Sequence, residues 1–514
     1  MSYLELLKLA APETIVLVTA LVVLTIGLVA GRRGVGASVS VTSPETAGGR
    51  PNGSAGDTTT TKSDGVGPFV AAIGLAFAAV AVLQLPAHAA LFHGMLVISP
   101  LNSLFKTICL ALAFFTVFLA RGEHALANRG EYLAMILLAT VGLLLLVGSE
   151  ELLMIFIGLE LTGLSLYVMT AFDKEHRSSS EAGLKYFLFG SLASAFTLFG
   201  ISFIYGLTGT TTLASIAQRL AASPIEPLLA AGIVMTLIGF AFKIAAAPFH
   251  LWAPDVYQGA PVSTAAFIAS GSKVASFVVL GKIVLIGVGP VQGSASWHAM
   301  AGGWTPIVAV LAALSILIGN LVALAQRNMR RLLAYSAVAH AGYTLLGLVA
   351  AGRSGFSATL FYSTVYGITL VGAFGVVALV RRESGGDDLS DFAGLRTRSP
   401  LLAGCMAIFM LSLAGLPPLA GFFGKFYLFS AAFRAGHNHG LLWLVVLALL
   451  GSLISLYYYL IVLKAIFVDE SKRASFVFHR DYLQRMALTV LAGMVLFLGL
   501  MPETLLARIL ASVT

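Results

Sequence analysis

Long apolar stretches alternate with short polar segments along almost the whole chain of 514 residues. Most stretches hold about twenty residues, the length that an α-helix needs to cross the hydrocarbon core of a bilayer. The pattern therefore predicts an all-α polytopic membrane protein with about fourteen transmembrane helices. The predicted spans lie near 14–31, 68–86, 101–120, 131–148, 151–171, 183–207, 227–250, 262–287, 304–325, 331–350, 356–380, 400–433, 440–467 and 485–511.

Basic residues in the connecting segments predict the orientation of these spans. The segments that follow odd-numbered spans hold nineteen lysines and arginines, whereas the others hold only Arg219, Arg353 and Arg434. Loops rich in Lys and Arg stay in the cytoplasm. We therefore expect both termini to lie on the outer side of the membrane.

Composition agrees with the membrane class, and together with the net charge it gives no reason to expect a soluble domain or nucleic-acid binding. Hydrophobic residues make up 58% of the chain and charged residues 11%, and the mean hydropathy is +0.93. A soluble domain carries roughly 25% charged residues. Continuous apolar runs exclude a β-barrel, whose strands would alternate. The net charge of +8 comes from basic loops at the membrane edge and gives no reason to expect nucleic acid.

The sequence gives little support for disulfides, metal sites or nucleotide binding. Cys109 and Cys405 both lie in apolar spans, so neither a disulfide framework nor a cysteine-bound cluster is expected. The sequence shows no glycine-rich nucleotide-binding motif after a strand. We therefore predict no metal site and no nucleotide-binding site in this chain.

Prolines interrupt two of the predicted spans. Pro248 lies in the seventh span, and Pro417 and Pro418 lie in the twelfth. Proline removes a backbone donor, and such breaks are tolerated in a bilayer only where helices or water satisfy the backbone. Paired breaks at an odd helix spacing indicate inverted repeats with functional groups between them.

This reasoning predicts one membrane domain over residues 1–514. Its predicted parts are the first helix in 1–33, a flexible polar cytoplasmic loop in 34–67, helices 2 and 3 in 68–120, a first five-helix repeat in 131–287, a second repeat in 304–467, and helix 14 in 485–511.

Four lysines and one glutamate lie inside the apolar spans: Lys185, Lys243, Lys273, Lys425 and Glu160. A charge at that depth is costly, and such residues usually face a wet interior and mark an ion or proton path. A purely structural ion pair is the alternative for Glu160.

The positions of these residues suggest separate roles. Lys185 opens the sixth span and is the natural partner of Glu160, and an ion pair that opens and closes could act as a switch. Lys243 and Lys273 fit proton carriers, since a desolvated lysine releases its proton more easily. Lys425 is expected to take the corresponding part in the second repeat.

His340 and three further lysines carry weaker signals. His340 is either a hydrogen-bonded core histidine or a relay that bridges the two halves through water. Lys106 and Lys464 lie near span ends, where their ammonium groups are expected to snorkel to the interface. Lys282 lies deeper, and the sequence assigns it no role.

Four segments resemble a known family. They are FIGLELTGLSLYVM at 156–169, KYFLFGSLASAFTLFG at 185–200, FHLWAPDVYQGAP at 249–261 and GFFGKFYLF at 421–429. These strings look like the antiporter-like membrane subunits of respiratory complex I, the proton-pumping NADH:quinone oxidoreductase. The WAPDVYQGAP form and a lysine at 425 resemble the subunit N branch, the counterpart of mitochondrial subunit 2.

The resemblance implies a bacterial inner-membrane protein without a redox centre. FMN, iron–sulfur clusters and quinone would lie in or near other subunits, and the partners would be subunit M and small subunits such as K, A and J. Glu160 and Lys185 would be the coupling pair, Lys243 and Lys273 the central relay, and Lys425 the carrier toward the periplasm or the next subunit.

Three alternatives remain open from the sequence. A subunit of a multisubunit sodium/proton antiporter would share the fold and the lysine pattern. A solute permease could use midplane lysines to bind an anionic substrate. A purely structural anchor for neighbouring subunits would leave the buried lysines unexplained.

Overall fold

In the computed structural model, residues 3–37, 66–121, 123, 128–221, 226–435, 439–470 and 481–513 are described. These residues are almost entirely helical, and four short strands form two hairpins. Within the described residues, twelve spans are long and apolar enough to cross a membrane, one of them the composite span Val262–Gly287. The predicted all-α polytopic class is confirmed.

The helices and strands follow one another in a simple order. The helices are α1 Tyr3–Leu9, α2 Ala11–Ala37, α3 Val66–Leu83, α4 Pro100–Ala120, α5 Arg129–Gly148, α6 Leu152–Thr170, α7 Arg177–Thr208, α8 Leu213–Ala221, α9 Pro227–Lys243, α10 Trp252–Gly259, α11 Val262–Phe267, α12 Lys273–Lys282, α13 Trp304–Ala323, α14 Met329–Ala350, α15 Gly352–Ser384, α16 Leu395–Arg398, α17 Pro400–Ala414, α18 Ala420–Arg434, α19 Leu442–Phe467, α20 Tyr482–Leu500 and α21 Glu503–Ser512. The strands are β1 Ala89–Leu91, β2 Leu96–Ile98, β3 Ser294–Ser296 and β4 Ala299–Ala301.

The centre of the molecule is formed by three spans. A π-helical turn at Ile268–Ser272 joins α11 to α12, and this span, α14 and α15 each have 94% of their apolar window buried. The window of α2, in contrast, is 28% buried, and Leu17, Val18 and Leu21 are exposed on it. An apolar surface of this kind suits contact with lipid. Polar side chains on the three central spans are therefore shielded from lipid by the other helices.

Two shorter apolar helices, α9 and α17, end in breaks and continue as α10 and α18. Pro248 lies in the first break, residues 244–251, and Pro417 and Pro418 lie in the second, residues 415–419. Both breaks contain a cis peptide bond, Ala247–Pro248 and Pro417–Pro418.

The connecting segments gather on two faces. On one face, which carries α1 and α21 and which we call the terminal face, Leu96 pairs with Ser149 and Glu151 pairs with Thr212. Loops after even-numbered predicted spans therefore contact one another, as the predicted alternation requires.

The opposite face brings together loops after odd-numbered predicted spans. Arg330 forms an ion pair with Asp387. Glu123 accepts hydrogen bonds from the backbone N–H groups of Val262 and Ser263 and from the Ser263 hydroxyl. Burial raises the pKa of the Glu123 carboxyl, although these hydrogen bonds oppose the rise.

Several predicted boundaries differ from the structure. The last span ends at Leu500 and α21 begins at Glu503, so the predicted helix 485–511 is interrupted. Pro502 explains the interruption because proline cannot continue the preceding helix. At the N-terminal side, α2 extends to Ala37 and α3 starts at Val66, so both ends of the predicted 34–67 loop are helical. The rest of that loop, 38–65, lies outside the described residues.

Candidate functional site

Lys243 is the last residue of α9, directly before the first break. Proline at 248 and the left-handed backbone of Ala245, with φ of 56°, end the helix here. Other side chains satisfy the interrupted backbone. The indole of Trp252 donates to the Phe242 carbonyl at 3.2 Å, and the Ala247 N–H donates to the Ser315 hydroxyl at 2.8 Å.

The ammonium group of Lys243 has few polar partners although it is buried. Its Nζ lies 3.5 Å from the Tyr167 hydroxyl and 5.4 Å from the centroid of that ring. A Cβ added at Gly163 would come within 2.7 Å of the same Nζ. Gly163 follows Glu160 by three residues on α6, and residues three apart share a helix face. The structure therefore brings Lys243 beside the turn that carries Glu160.

Glu160 and Lys185 do not form the predicted ion pair. The Ser194 hydroxyl donates to Glu160 Oε1. Lys185 precedes Ser194 by nine residues on the same helix, α7, which corresponds to about 13–14 Å along the axis. Glu160 therefore lies level with Ser194, and Lys185 lies closer to the opposite face.

Lys185 instead contacts two other acids. Its Nζ lies 2.6 Å from Glu181 Oε1 and 2.8 Å from Asp255 Oδ2. The second Asp255 oxygen accepts from Arg331 at 2.8 Å, so Asp255 joins α7, α10 and α14. The side chain of Lys185 is 38% exposed, which is not the deep burial that the sequence suggests. Sequence reasoning missed Asp255, although it stands in the quoted WAPDVYQGAP string.

Lys273 begins α12 directly after the π-helical turn and is buried. Its Nζ donates to the Ala337 carbonyl on α14 at 2.9 Å. The ring of Tyr366 on α15 lies 5.8 Å from the same nitrogen, within the range of a cation–π contact. Two central helices therefore hold this ammonium group.

Lys425 lies in the second turn of α18, after the second break. Its Nζ donates to the Ala414 carbonyl and to the Ser452 hydroxyl, both at 2.9 Å, and lies 5.3 Å from the Tyr343 ring centroid. In a continuous helix the Ala414 carbonyl would accept from residue 418, but Pro418 has no N–H. The lysine supplies the donor that the proline lacks.

His340 on α14 lies between these two lysines. Its Nδ1 is 2.7 Å from the Tyr362 hydroxyl, and its Nε2 is 3.0 Å from the Tyr459 hydroxyl. The imidazole stacks on Tyr366 at 4.9 Å between centroids and meets the edge of Tyr343 at 5.5 Å.

A contiguous row of side chains follows from these contacts, and we call it the central row. It consists of Lys273, Tyr366, His340, Tyr343 and Lys425, each in contact with the next. Sequence reasoning selected both lysines and the histidine but missed the tyrosines. Tyrosine in an apolar span gives no warning of a role, because aromatic residues are common in packed cores.

Lys106 does not snorkel as expected. It is buried and its Nζ lies 2.5 Å from Glu13 Oε1 on α2. Lys464 has a 66% exposed side chain 3.9 Å from Asp469, in agreement with its predicted place at a span end. Within the described ranges, no group of three or more His, Cys, Asp or Glu residues could hold a metal ion.

Comparison with known proteins finds a matching family model and several similar proteins. The family model "NADH:quinone oxidoreductase/Mrp antiporter, TM" matches residues 149–455. A protein of Acidobacterium capsulatum named NADH-quinone oxidoreductase subunit N 2 is 48% identical over 437 residues, covering 83% of this chain and 88% of that one. A subunit N of Desulforamulus reducens is 41% identical over 413 residues, covering 80% and 84%.

Solved structures show the same architecture. A chain of respiratory complex I from Thermus thermophilus with bound aureothin superposes with a TM-score of 0.75 at 32% identity, covering 96% of this chain and 98% of that one. A chain of the Mrp complex from Dietzia sp. superposes with a TM-score of 0.80 at 21% identity, covering 99% and 97%. At that identity the second likeness concerns the fold alone.

Proposed function

This chain belongs to the subunit N family of NADH-quinone oxidoreductases, and on that premise we propose that it translocates protons across the membrane. Electron transfer from NADH to quinone, carried out by other subunits, would drive the movement. FMN, iron–sulfur clusters and quinone would lie in or near those subunits, and this chain would hold no redox centre.

The observation that carries the proposal is the central row. Buried ionisable groups in a membrane interior are costly and typically mark proton paths. Lys273, His340 and Lys425 can each take up and release a proton, and only one tyrosine ring separates each neighbouring pair. A row of structural ion pairs would instead place carboxylates beside the ammonium groups. Here Lys273 and Lys425 donate to carbonyl and hydroxyl oxygens.

The remaining predicted residues take places around the row. We assign Glu160 as the acid that exchanges a proton with Lys243, because Lys243 lies beside the next turn of its helix. Lys185, held by Asp255 and Glu181, would connect this pair to the opposite face. The coupling step would then be the opening and closing of the Lys185 ion pairs with Asp255 and Glu181, which would change the charge on the opposite-face side of Glu160.

Topology and partners complete the proposal. The opposite face would be cytoplasmic and the terminal face periplasmic, as the basic loops predict. Spans 4–8 and 9–13 would form inverted repeats, each with one interrupted helix. Neighbouring membrane subunits of the complex, including subunit M and the small subunits K, A and J, would be the partners.

Substitution of Lys243 tests the function. In the assembled complex reconstituted into vesicles, Lys243→Ala should lower proton translocation through this subunit by about tenfold or more, since a positioned proton-transfer group contributes at least that much. Lys464→Ala, a change at an exposed lysine, is the control. Unchanged protons pumped per electron in assembled Lys243→Ala enzyme would refute the proposal.

A further inference from the structure

A second group of buried charges lies near the terminal face, outside the central row. It consists of Glu13 on α2, Asn102 and Lys106 on α4, Glu150 between α5 and α6, and Lys282 at the end of α12. We call it the terminal-face cluster. It holds two lysines and two glutamates, so its formal charges balance.

Lys282 is the most deeply buried charged residue of the cluster, with 1% of its side chain exposed. Its Nζ donates to Asn102 Oδ1 at 2.6 Å and to the Val147 carbonyl at 2.9 Å. The nearest carboxylate, that of Glu150, is 3.7 Å away, and its side chain is 31% exposed. The buried ammonium group thus lies next to an acid that reaches water.

Glu13 has an oxygen without a partner. Its Oε1 lies 2.5 Å from Lys106 Nζ, whereas its Oε2 is buried and has no hydrogen-bond partner among the described residues. A buried carboxylate oxygen normally accepts at least one hydrogen bond. An oxygen left open in this way can accept a proton or a water molecule.

One backbone segment joins the two halves of the cluster. A Cβ added at Gly148 would come within 3.1 Å of Lys106 Nζ. The neighbouring carbonyls, of Val147 and Ser149, accept from Lys282 at 2.9 and 3.3 Å. Both ammonium groups therefore lie against residues 147–149.

The cluster shares a helix with the central row. Lys282 follows Lys273 by nine residues, about 13–14 Å along α12. Ser276 lies between them and is buried. π-helical turns at Ile268–Ser272 and Ile283–Gly287 flank this stretch, and such turns often occur at functional sites.

We propose that the terminal-face cluster is a second proton-transfer site, which connects Lys273 to water on the terminal face. The inference rests on the proposed function. In the transfer step the N–H bond of the Lys282 ammonium group breaks and an O–H bond forms on the Glu150 carboxylate. The resulting carboxylic acid gives the proton to water, and a proton arriving along α12 restores the ammonium group.

The distances indicate how the step is controlled. At 3.7 Å, Lys282 and Glu150 are too far apart for a direct hydrogen bond. Rotation of the partly exposed Glu150 side chain or one bridging water would close the gap. Asn102 and the two carbonyls hold Lys282 in place while the acid moves.

A purely structural role makes a different prediction. Lys282 could simply fasten the end of α5, since it binds the carbonyls of Val147 and Ser149. Such a fastening would not need the carboxylate of Glu150. Removing that carboxylate separates the two roles, because the hydrogen bonds of Lys282 stay intact.

The experiment uses Glu150→Gln and Lys282→Met in the complete complex, reconstituted into vesicles that report proton translocation and NADH oxidation together. Each variant should lower the protons pumped per electron by about twofold or more, while NADH-to-quinone electron transfer continues. Lys464→Met, on a lysine with an exposed side chain, should leave the ratio unchanged.

Glu150→Gln decides the outcome, because a partly exposed residue tolerates the change. A normal ratio in Glu150→Gln would overturn the inference, whatever happens to the stability of Lys282→Met. Lys243→Ala in the same series separates the two proposals. If Lys243→Ala lowers the ratio and Glu150→Gln does not, only the terminal-face site is wrong. If Lys243→Ala pumps normally, the proposed function itself fails.

Discussion

The two interrupted helices differ in how the backbone groups at their breaks find hydrogen-bond partners. In the first break, Trp252 and Ser315 satisfy the backbone, and among the described residues Lys243 has a single, long hydrogen bond of 3.5 Å, to Tyr167. In the second break, Lys425 itself donates to the Ala414 carbonyl at 2.9 Å and to Ser452 at the same distance. The same residue type is therefore loosely held in one break and firmly held in the other.

The two lysines also differ in their position along the helix. Lys243 is the last residue before its break, whereas Lys425 follows its break. The two lysines therefore do not occupy the matching places that the sequence predicts. The long side chain of Lys425 nevertheless reaches back to Ala414, which ends α17 as Lys243 ends α9. The functional groups correspond more closely than the Cα positions do.

The difference suggests a division of labour. A loosely held ammonium group can change partners at little cost, whereas a group with two hydrogen bonds loses both when it moves. We therefore infer that Lys243 is the more mobile proton carrier and that the Lys425 side chain stays in place at the end of the central row.

The largest expected effect separates these two lysines by stability. Lys425→Met should lower the stability of the fold by roughly 2–4 kcal/mol, because two charged hydrogen bonds are lost and the Ala414 carbonyl stays buried without its donor. Lys243→Met should cost about 1 kcal/mol or less. Thermal unfolding of the purified complex measures both, and equal destabilisation would contradict the comparison.

Serine substitutions sharpen the comparison of the two backbones. Ser315→Ala removes the acceptor of the Ala247 N–H, a bond of 2.8 Å, and should cost about 1–2 kcal/mol. Ser412→Ala removes the acceptor of the Gly421 N–H, a longer bond of 3.2 Å, and should cost less. A larger loss at Ser412 than at Ser315 in thermal unfolding would argue against this account of the breaks.

Two tyrosines beside His340 form a matched pair for testing the central row. Tyr362→Phe removes the hydrogen bond to His340 Nδ1 and should cost about 1 kcal/mol. Tyr366→Phe keeps the ring between His340 and Lys273 and removes a buried hydroxyl that has no partner among the described residues.

For that reason Tyr366→Phe should leave stability almost unchanged. Measurement of protons pumped per electron then tells whether the ring alone suffices. A fall in that ratio with unchanged stability would show that the Tyr366 hydroxyl takes part in transfer.

The smallest effect is expected at Gly163. Gly163→Ala places a methyl group against the end of the Lys243 side chain, which is flexible and can move away. We expect a stability change of about 0.5 kcal/mol or less and a modest fall in pumping, because the ammonium group shifts away from the Glu160 turn. Gly404→Ala is the control, since a Cβ there meets no atom within 4 Å.

Much of the fold could be predicted because a helix that crosses a membrane needs a long apolar run, which can be recognised from neighbouring residues in the sequence. Apolar runs of about twenty residues marked spans such as α5 and α13, and Pro248 and Pro418 marked segments where the structure has helix breaks. The predicted end of the last span was wrong because the apolar run continues past Pro502, and the proline was given too little weight.

The site could be predicted less well because its contacts cross between helices. Charge in an apolar span selected Lys243, Lys273 and Lys425, and burial of all three agrees with that signal. The predicted spans put Glu160 near the middle of the fifth span and Lys185 at the start of the sixth, but this difference in depth was given too little weight.

By itself, the sequence determined that this protein lies in a membrane, that helices are interrupted at Pro248 and at Pro417 and Pro418, and that Lys243, Lys273 and Lys425 are buried, since each of these depends on residues close together in the chain. Only the tertiary structure decided that Lys185 meets Asp255, that Lys425 reaches Ala414 and that tyrosines join His340 to two lysines. The physical reason is that partners across helices are set by packing of the whole bundle, which local patterns do not encode.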